Sequence, residues 1–222
     1  GIACVSALAG YETLLFDANQ DALKKGHNYG ETQINKALEK GKVTQEVADK
    51  ALKNLKPISN LKEFTSTQLL IEAIIEQFDI KSSLFKELDS ILPKDAIIAS
   101  NTSSISITKL AAATNRPSQV IGMHFMNPVP IMQLVEIIKG LQTDDTTYKT
   151  VVDVTKQMGK TDVLGIDTAG FVVNRILCPM INEAIFLVQE GVKPEDIDTA
   201  MKLGTNQPMG PLTLADFVGL DT

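Results

Sequence analysis

His124 and Glu136 are the two side chains whose types and spacing most directly suggest acid–base chemistry. His124 lies in the apolar run VIGMHF (120–125), and Glu136 lies in a second apolar run, LVEII (134–138). Both runs are typical of buried strands, and the segment NPVP (127–130) predicts a turn between them. Neighbouring strands can bring an imidazole and a carboxylate together as a base with an orienting partner. A lone buried histidine is more often a core residue, so the carboxylate is what favours a catalytic interpretation.

Two further segments place polar groups where a parallel sheet binds ligands. Asp17 closes the short apolar run TLLFD, where a nucleotide-binding unit places a carboxylate against the adenosine ribose. A turn aspartate is the alternative. The segment SNTSSISIT (100–108) follows the run AIIAS and opens a helix, so its hydroxyls could face a ligand or could simply cap the helix.

Asn174, Lys36 and Lys40 each admit two interpretations. Asn174 lies in the apolar run GFVVNR and could bond to nearby backbone or face a cleft between domains. Lys36 and Lys40 are four residues apart on a polar helix, hence on one face. That face could be solvated surface or a landing site for phosphate groups.

The elements that would position these residues alternate between strands and helices. We predict strands at TLLFD, LLIEAII (69–75), AIIAS, VIGMHF and LVEII, with helices over 1–10, 19–40, 44–55 and 79–90. This alternation predicts an α/β fold of the Rossmann type, with a doubly wound, mostly parallel sheet. From residue 168 the pattern becomes helical, with segments at 171–192, 194–203 and 211–219. We therefore expect a dinucleotide-binding domain over 1–167 and a smaller all-helical domain over 168–222.

Composition excludes several classes of partner. The formal net charge of −6 argues against nucleic acid or an anionic membrane surface as the main partner. The sequence has no run of 18 apolar residues that would predict a membrane span. Cys4 and Cys178 lie far apart with no metal-binding spacing, so neither a metal site nor a disulfide framework is indicated. We expect a cytosolic or organelle-matrix protein, and the resemblance described next favours the bacterial cytoplasm over the mitochondrial matrix.

Five longer motifs carry a family resemblance. ASNTSSISIT, IGMHFMNPVPIMQLVEII, GFVVNRIL, EDIDTAMKLG and QPMGPLTLADFVGLDT resemble, in order and spacing, the 3-hydroxyacyl-CoA dehydrogenase family. The resemblance extends over essentially the whole chain. It implies NAD-dependent oxidation of a 3-hydroxyacyl-CoA to a 3-ketoacyl-CoA, in fatty acid or butanoate metabolism.

The resemblance also implies roles for individual residues. His124 would be the catalytic base and Glu136 its partner, while Ser103 and Asn174 would hold the reacting oxygens. Asp17 would bind the adenosine ribose. The residues that would line the rest of the dinucleotide are Ala73, Glu76, Lys81, Ser103 and Asn127. Lys36 and Lys40 would be coenzyme A contacts.

This sequence departs from the family pattern in four places. The glycine fingerprint GxGxMG is expected just before Gly1, and further helices that complete the second domain and a homodimer contact are expected after Thr222. Met126 stands where an aromatic residue is expected, and Gln133 where a lysine is expected. We interpret both substitutions as tuning of activity.

Three alternatives compete with a stand-alone enzyme. The chain could be the dehydrogenase part of a multifunctional β-oxidation protein. It could be a structural, crystallin-like relative, which the joint retention of Ser103, His124, Glu136 and Asn174 argues against. It could also be another β-hydroxyacid dehydrogenase with a lysine base, which the HFMNP and NTSS motifs disfavour.

Overall fold

A computed structural model describes residues 1–219, so the last three residues of the QPMGPLTLADFVGLDT motif lie outside the described part. The chain forms two compact units, Gly1–Ala169 and Gly170–Thr222. The first unit contains all the strands that the described residues form, and the second is helical. The predicted α/β class with a mostly parallel sheet and a helical second part is confirmed.

The strands form two sheets. They are β1 (Thr13–Leu15), β2 (Leu55–Pro57), β3 (Leu69–Glu72), β4 (Ile97–Ser100), β5 (Val120–Phe125), β6 (Leu134–Lys139) and β7 (Thr161–Ile166). Strands β1 and β2 pair in parallel. The larger sheet has the order β3-β4-β5-β6-β7, in which only the β5–β6 pair is antiparallel. That exception follows from a short connection, since parallel neighbours need a long crossover.

Six α-helices of the described residues in the first unit pack around the two sheets. They are α1 (Ile2–Leu8), α2 (Gln20–Glu39), α3 (Gln45–Asn54), α4 (Phe78–Ile91), α5 (Ile107–Ala111) and α6 (Asp145–Gln157). Ile121 and Met123 point to one face, in a core shared with Val5 of α1 and Val151 of α6. Gly122 points to the other face, where a Cβ atom would approach Ile138 and Ile107 of α5. A side chain larger than hydrogen does not fit there, so Gly122 lets α5 pack closely on the strand that carries His124.

Five elements differ clearly from the sequence predictions. Strand β1 ends at Leu15, two residues before Asp17. Strand β3 ends at Glu72 rather than residue 75, because the Glu72 carboxylate accepts the Ile74 N–H at 2.7 Å and turns the chain. Strands β2 and β7 and helix α6 were not among the predicted elements. Strand β2 has only three residues and contains a proline, while β7 is an edge strand with most of its side chains exposed.

A cavity lined mostly by apolar side chains lies between the two sheets. Leu14 and Leu15 of β1 line one side, and Leu70 and Ile71 of β3 line the other. Within residues 1–219, no strand pairing joins β1 to β3. Asp17 and Ala73, which follow the carboxyl ends of β1 and β3, also line the cavity.

The second unit is built from α7 (Val173–Gln189), α8 (Pro194–Gly204) and α9 (Pro211–Val218). Asp198 of α8 accepts the Leu212 and Thr213 N–H groups at 2.9 Å, which fixes the first turn of α9 against α8. None of the helices in the described residues is both long and apolar enough to cross a membrane.

Asp167 fixes the start of α5 from the end of β7. Its carboxylate accepts the Ile107 and Thr108 N–H groups and the Ser106 and Thr108 hydroxyls, at 2.6–2.9 Å. Burial alone would raise the pKa of Asp167, but these hydrogen bonds outweigh it and hold the pKa below its ordinary value. The carboxylate thus stabilises the helix that follows the SNTSSISIT segment.

Replacing Asp167 by asparagine should lower the free energy of unfolding at neutral pH by about 1–3 kcal/mol, because the charged acceptor of several hydrogen bonds is lost. Since the folded-state pKa is lowered, the stabilisation is present above the unfolded-state pKa and is lost as the pH falls through the folded-state pKa. Denaturant unfolding of both proteins from neutral to acidic pH should therefore show their difference shrinking on acidification. Asp145→Asn is the matched control, because Asp145 forms only an exposed pair with Lys139. An Asp167 variant as stable as this control would contradict the assignment.

Candidate active site

His124 and Glu136 face each other on adjacent antiparallel strands. They are direct register partners in the β5–β6 pair, so their side chains project to the same face of the sheet. His124 Nδ1 lies 2.7 Å from Glu136 Oε2. Glu136 is fully buried and His124 is 6% exposed, so this contact is shielded from water. A buried, hydrogen-bonded carboxylate is suited to fix the orientation of the imidazole and to stabilise its charged form.

Ser103 contacts the other nitrogen of the same ring. Its Oγ lies 3.1 Å from His124 Nε2. With a carboxylate at Nδ1, the neutral ring carries its proton on Nδ1 and presents Nε2 as an acceptor, so the Ser103 hydroxyl donates. Ser103, His124 and Glu136 therefore form a continuous chain in which Nε2 can accept a proton. Ser103 is half-buried, whereas Glu136 is completely buried.

Glu76 holds the Ser103 segment from the opposite direction. Its Oε1 accepts the Ser103 N–H at 3.0 Å and the Thr102 hydroxyl, and its Oε2 lies 3.1 Å from Lys81 Nζ. Burial alone would raise the pKa of Glu76, but the bonds from Thr102, Lys81 and Ser103 outweigh it and lower the pKa. Its side chain is still 42% exposed. Glu76 is thus an ionised acceptor at the surface with capacity for further hydrogen bonds.

Lys81 lies beneath Glu76 and is almost completely buried. Its side chain is 1% exposed, and its Nζ lies 2.6 Å from Glu72 Oε1 and 3.2 Å from the Ile74 carbonyl oxygen. Glu72 is 3% exposed and also accepts the Ser100 hydroxyl at 2.7 Å. These contacts satisfy the charges of a lysine and a glutamate that would otherwise be costly to bury.

Three further predicted residues line the cavity between the sheets: Asp17, Ala73 and Asn127. Asp17 is exposed, and its Oδ1 accepts the Asn19 N–H at 2.8 Å in a turn before α2. Asn127 lies in the turn after β5, which Lys160 stabilises by donating to the Val129 and Met132 carbonyls. Burial lowers the pKa of Lys160. Both Asp17 and Asn127 therefore present polar atoms at the carboxyl edge of the sheets.

The remaining predicted site residues are Lys36, Lys40 and Asn174. Lys36 and Lys40 are exposed near the end of α2, one turn apart on the same helix face. Asn174 belongs to the second unit, where it is half-buried as the second residue of α7.

The sequence analysis did not single out Glu72, Thr102 or Asp167. A carboxylate that closes an apolar strand, with a lysine in the first turn of the next helix, is the pattern that would have identified Glu72. Thr102 lies within the SNTSSISIT segment, but its position gives no indication that Glu76 is its partner. Asp167 resembles many acidic residues at strand ends, so only the structure reveals its contacts to α5.

Comparison with known proteins identifies the family of this chain. Residues 1–168 match the NAD binding domain of 3-hydroxyacyl-CoA dehydrogenase, and residues 170–222 match its C-terminal domain. The chain is 51% identical to a probable 3-hydroxybutyryl-CoA dehydrogenase of Deinococcus radiodurans, over all of this chain and 80% of that protein. It is 44% identical to the human mitochondrial hydroxyacyl-coenzyme A dehydrogenase, over all of this chain and 73% of that protein.

A solved structure extends the similarity to the fold. The crystal structure of (S)-3-hydroxybutyryl-CoA dehydrogenase from Ralstonia eutropha superposes with a TM-score of 0.95 at 47% identity. It covers 100% of this chain and 78% of that one. The two domain matches cover nearly the whole chain, and the identities to named dehydrogenases are high. The chain therefore belongs to the 3-hydroxyacyl-CoA dehydrogenase family.

Proposed function

We propose that this protein oxidises the 3-hydroxyl group of a 3-hydroxyacyl-CoA to the ketone with NAD as hydride acceptor, and catalyses the reverse reduction. The observation that carries the proposal is the chain from Ser103 through His124 to Glu136. Oxidation of a secondary alcohol needs a base within hydrogen-bond reach of the hydroxyl proton. His124 Nε2 supplies that base, on the side of the ring opposite its carboxylate.

Each residue has a defined task in this reaction. As the hydroxyl proton moves to His124 Nε2, the negative charge of Glu136 stabilises the imidazolium that forms. When substrate is bound, the Ser103 hydroxyl donates to the substrate oxygen instead of to His124 Nε2, which stabilises the alkoxide that develops in the reduction direction. The family resemblance assigns Asn174 to the same oxygen. The nicotinamide ring of NAD supplies the hydride acceptor when it is bound.

The polar side chains along the carboxyl edge of the sheets fit a dinucleotide. Asp17 and Glu76 are exposed carboxylates that can accept hydrogen bonds from ribose hydroxyls, and Glu76 also contacts the Ser103 segment beside the base. Ala73 and Asn127 line the same cavity as Asp17 and offer a small side chain and an amide. A carboxylate such as Asp17 favours NAD over NADP, because it would repel a 2′-phosphate.

The proposal extends to the acyl chain length, the coenzyme A contacts, the oligomeric state and the cellular location of the protein. Relatives named for 3-hydroxybutyryl-CoA support a short acyl chain for this protein. Lys36 and Lys40 are exposed cations that would contact the phosphates of coenzyme A. We further propose that the protein forms a homodimer through the helical unit. We place it in the bacterial cytoplasm, with a role in fatty acid or butanoate breakdown.

The test is NADH formation from 3-hydroxybutyryl-CoA, compared with longer 3-hydroxyacyl-CoA substrates. We expect turnover with NAD, with the highest kcat/KM for the short acyl chain. Absence of NADH formation with every acyl length would reject the proposed function. Activity that rises steadily with chain length would retain the reaction and reject the short-chain substrate.

Replacing Asp17 by serine together with Ala18→Arg should shift cofactor preference toward NADP. The double variant removes a repulsive charge and adds a phosphate partner at the same edge of the cavity. We expect the ratio of kcat/KM for NADP to that for NAD to rise roughly tenfold or more. The matched control is Asp21→Ser, which removes an exposed carboxylate from the first turn of α2. An unchanged ratio in the Asp17 variant would mean that Asp17 is only a turn residue.

A further inference from the structure

Glu72 is a buried carboxylate next to the proposed site that has no part in the mechanism above. It closes strand β3 and is 3% exposed. Its Oε1 accepts from Ile74 N–H at 2.7 Å and from Lys81 Nζ at 2.6 Å, and its Oε2 accepts from Ser100 Oγ at 2.7 Å. Four elements of the polar network therefore meet at this side chain: β3, the turn after it, α4 and β4.

Lys81 connects Glu72 to Glu76. Its ammonium has three N–H donors, and three acceptors lie within 3.2 Å: Glu72, the Ile74 carbonyl and Glu76. All three donors of Lys81 are used and its side chain is only 1% exposed, so Lys81 cannot contact a ligand directly. It can act on a ligand only through Glu76, which is partly exposed. Glu76 in turn holds the Ser103 N–H, and the Ser103 hydroxyl contacts His124.

The charges in this cluster are unequal, with one ammonium between two carboxylates. Glu72, at 2.6 Å and out of water, balances the charge of Lys81, whereas Glu76 lies at 3.1 Å and is 42% exposed. Glu76 therefore keeps a net negative charge and spare lone pairs at the surface. Without the charge of Glu72, Lys81 would draw Glu76 inward as its only counter-ion, away from Thr102 and Ser103.

We infer that Glu72 is a positioning residue: by holding and neutralising Lys81, it keeps Glu76 against the Ser103 amide, and so keeps Ser103 against His124. The inference rests on the proposed function for its catalytic consequence. Its structural consequence, an ordered Ser103 segment, stands independently of any substrate.

Glu72→Gln in the full-length protein tests this inference. We expect kcat/KM with NAD and 3-hydroxybutyryl-CoA to fall about 10- to 100-fold, because small displacements of positioning groups have effects of this size. We also expect faster amide hydrogen–deuterium exchange in residues 101–106, where Glu76 holds the Ser103 N–H. The inference requires both changes. Loss of activity without faster exchange would show that Glu72 does not act through Ser103. Faster exchange with full activity would show that the position of the Ser103 segment does not affect catalysis.

Asp89→Asn is the matched control. Asp89 forms a second buried ion pair, with Arg116 at 2.7 Å, and lies on the same helix as Lys81. Breaking this pair should lower the melting temperature, while kcat/KM of the folded protein stays within about twofold and exchange in residues 101–106 is unchanged. A general effect of losing a buried ion pair would appear equally in both variants and would overturn the inference.

If Glu72→Gln does not fold, the double variant Glu72→Gln/Lys81→Met replaces it, because it leaves no unpaired buried ammonium. In this variant no ammonium draws Glu76 inward, but Glu76 loses the Lys81 contact at 3.1 Å that helps to hold it, so changes in the same direction are expected. A folded variant with kcat/KM within about twofold of wild type would overturn the inference. If the wild-type protein forms no NADH from any 3-hydroxyacyl-CoA, the proposed function fails, and the exchange comparison alone decides the role of Glu72.

Discussion

Replacing His124 by alanine should lower kcat about 10²–10⁴-fold, which corresponds to a barrier increase of roughly 3–5 kcal/mol. The hydroxyl proton would have no acceptor within reach, since His124 Nε2 is the atom that faces Ser103. The dissociation constant for NAD should change little, because the dinucleotide contacts proposed above come from other residues. Steady-state kinetics and calorimetric NAD binding measure the two quantities separately.

The matched control is His27→Ala, because His27 is the other of the two histidines in the sequence. It lies on α2 and bonds to the Leu55 carbonyl oxygen at 3.2 Å. Its loss should leave kcat close to the wild-type value. A His124 variant with turnover within about threefold of wild type would remove His124 from the mechanism.

Glu136→Gln should lower kcat about 10²-fold or more while leaving the fold intact. The amide keeps the shape of the carboxylate but loses the charge that stabilises the imidazolium. Its NH₂ group can also donate to Nδ1, which would place the ring proton on Nε2 and block proton transfer from the substrate. KM for both substrates should change little, and nitrogen NMR of the His124 ring reports which nitrogen carries the proton.

Glu136→Asp separates charge from geometry. It retains the carboxylate but shortens the side chain, so the 2.7 Å contact to His124 Nδ1 is lengthened. We expect a kcat between those of wild type and Glu136→Gln. Equal turnover for wild type and Glu136→Gln would show that the charge of Glu136 does not act on the base.

The sequence was most informative where apolar runs are continuous. VIGMHF is the observed strand β5, and LVEII is β6 without its last residue, because both are buried and lie beside each other in the sheet. The pairing of His124 with Glu136 followed from those two strands and the short turn between them. Strand β7 escaped prediction because an edge strand needs no apolar run, and β2 because three residues carry almost no periodicity.

The SNTSSISIT segment shows why the remainder of the site could not be predicted. Its hydroxyls were open to a capping or a ligand-facing interpretation, and the structure divides these roles among neighbours. Ser106 caps α5 by accepting the Lys109 N–H, whereas Ser103 faces His124. Thr102 bonds to Glu76, which lies 26 residues earlier in the chain. Contacts at such distances depend on the packing of β3, β4 and α4, which local sequence patterns do not encode.

The contacts around His124 differ in the chain entropy that their formation costs, because only the contact with Glu136 lies within the antiparallel β5–β6 pair. The contact with Glu136 closes a loop of 12 residues, whereas the contact with Ser103 spans 21 and the bond that anchors Ser103 to Glu76 spans 27. The two longer contacts also require the parallel crossovers through α4 and α5 to be in place. Shorter loops lose less chain entropy on closure, so the base and its carboxylate form a local unit within one hairpin. We therefore expect conditions that loosen the crossovers to detach Ser103 from the base while His124 and Glu136 are still paired.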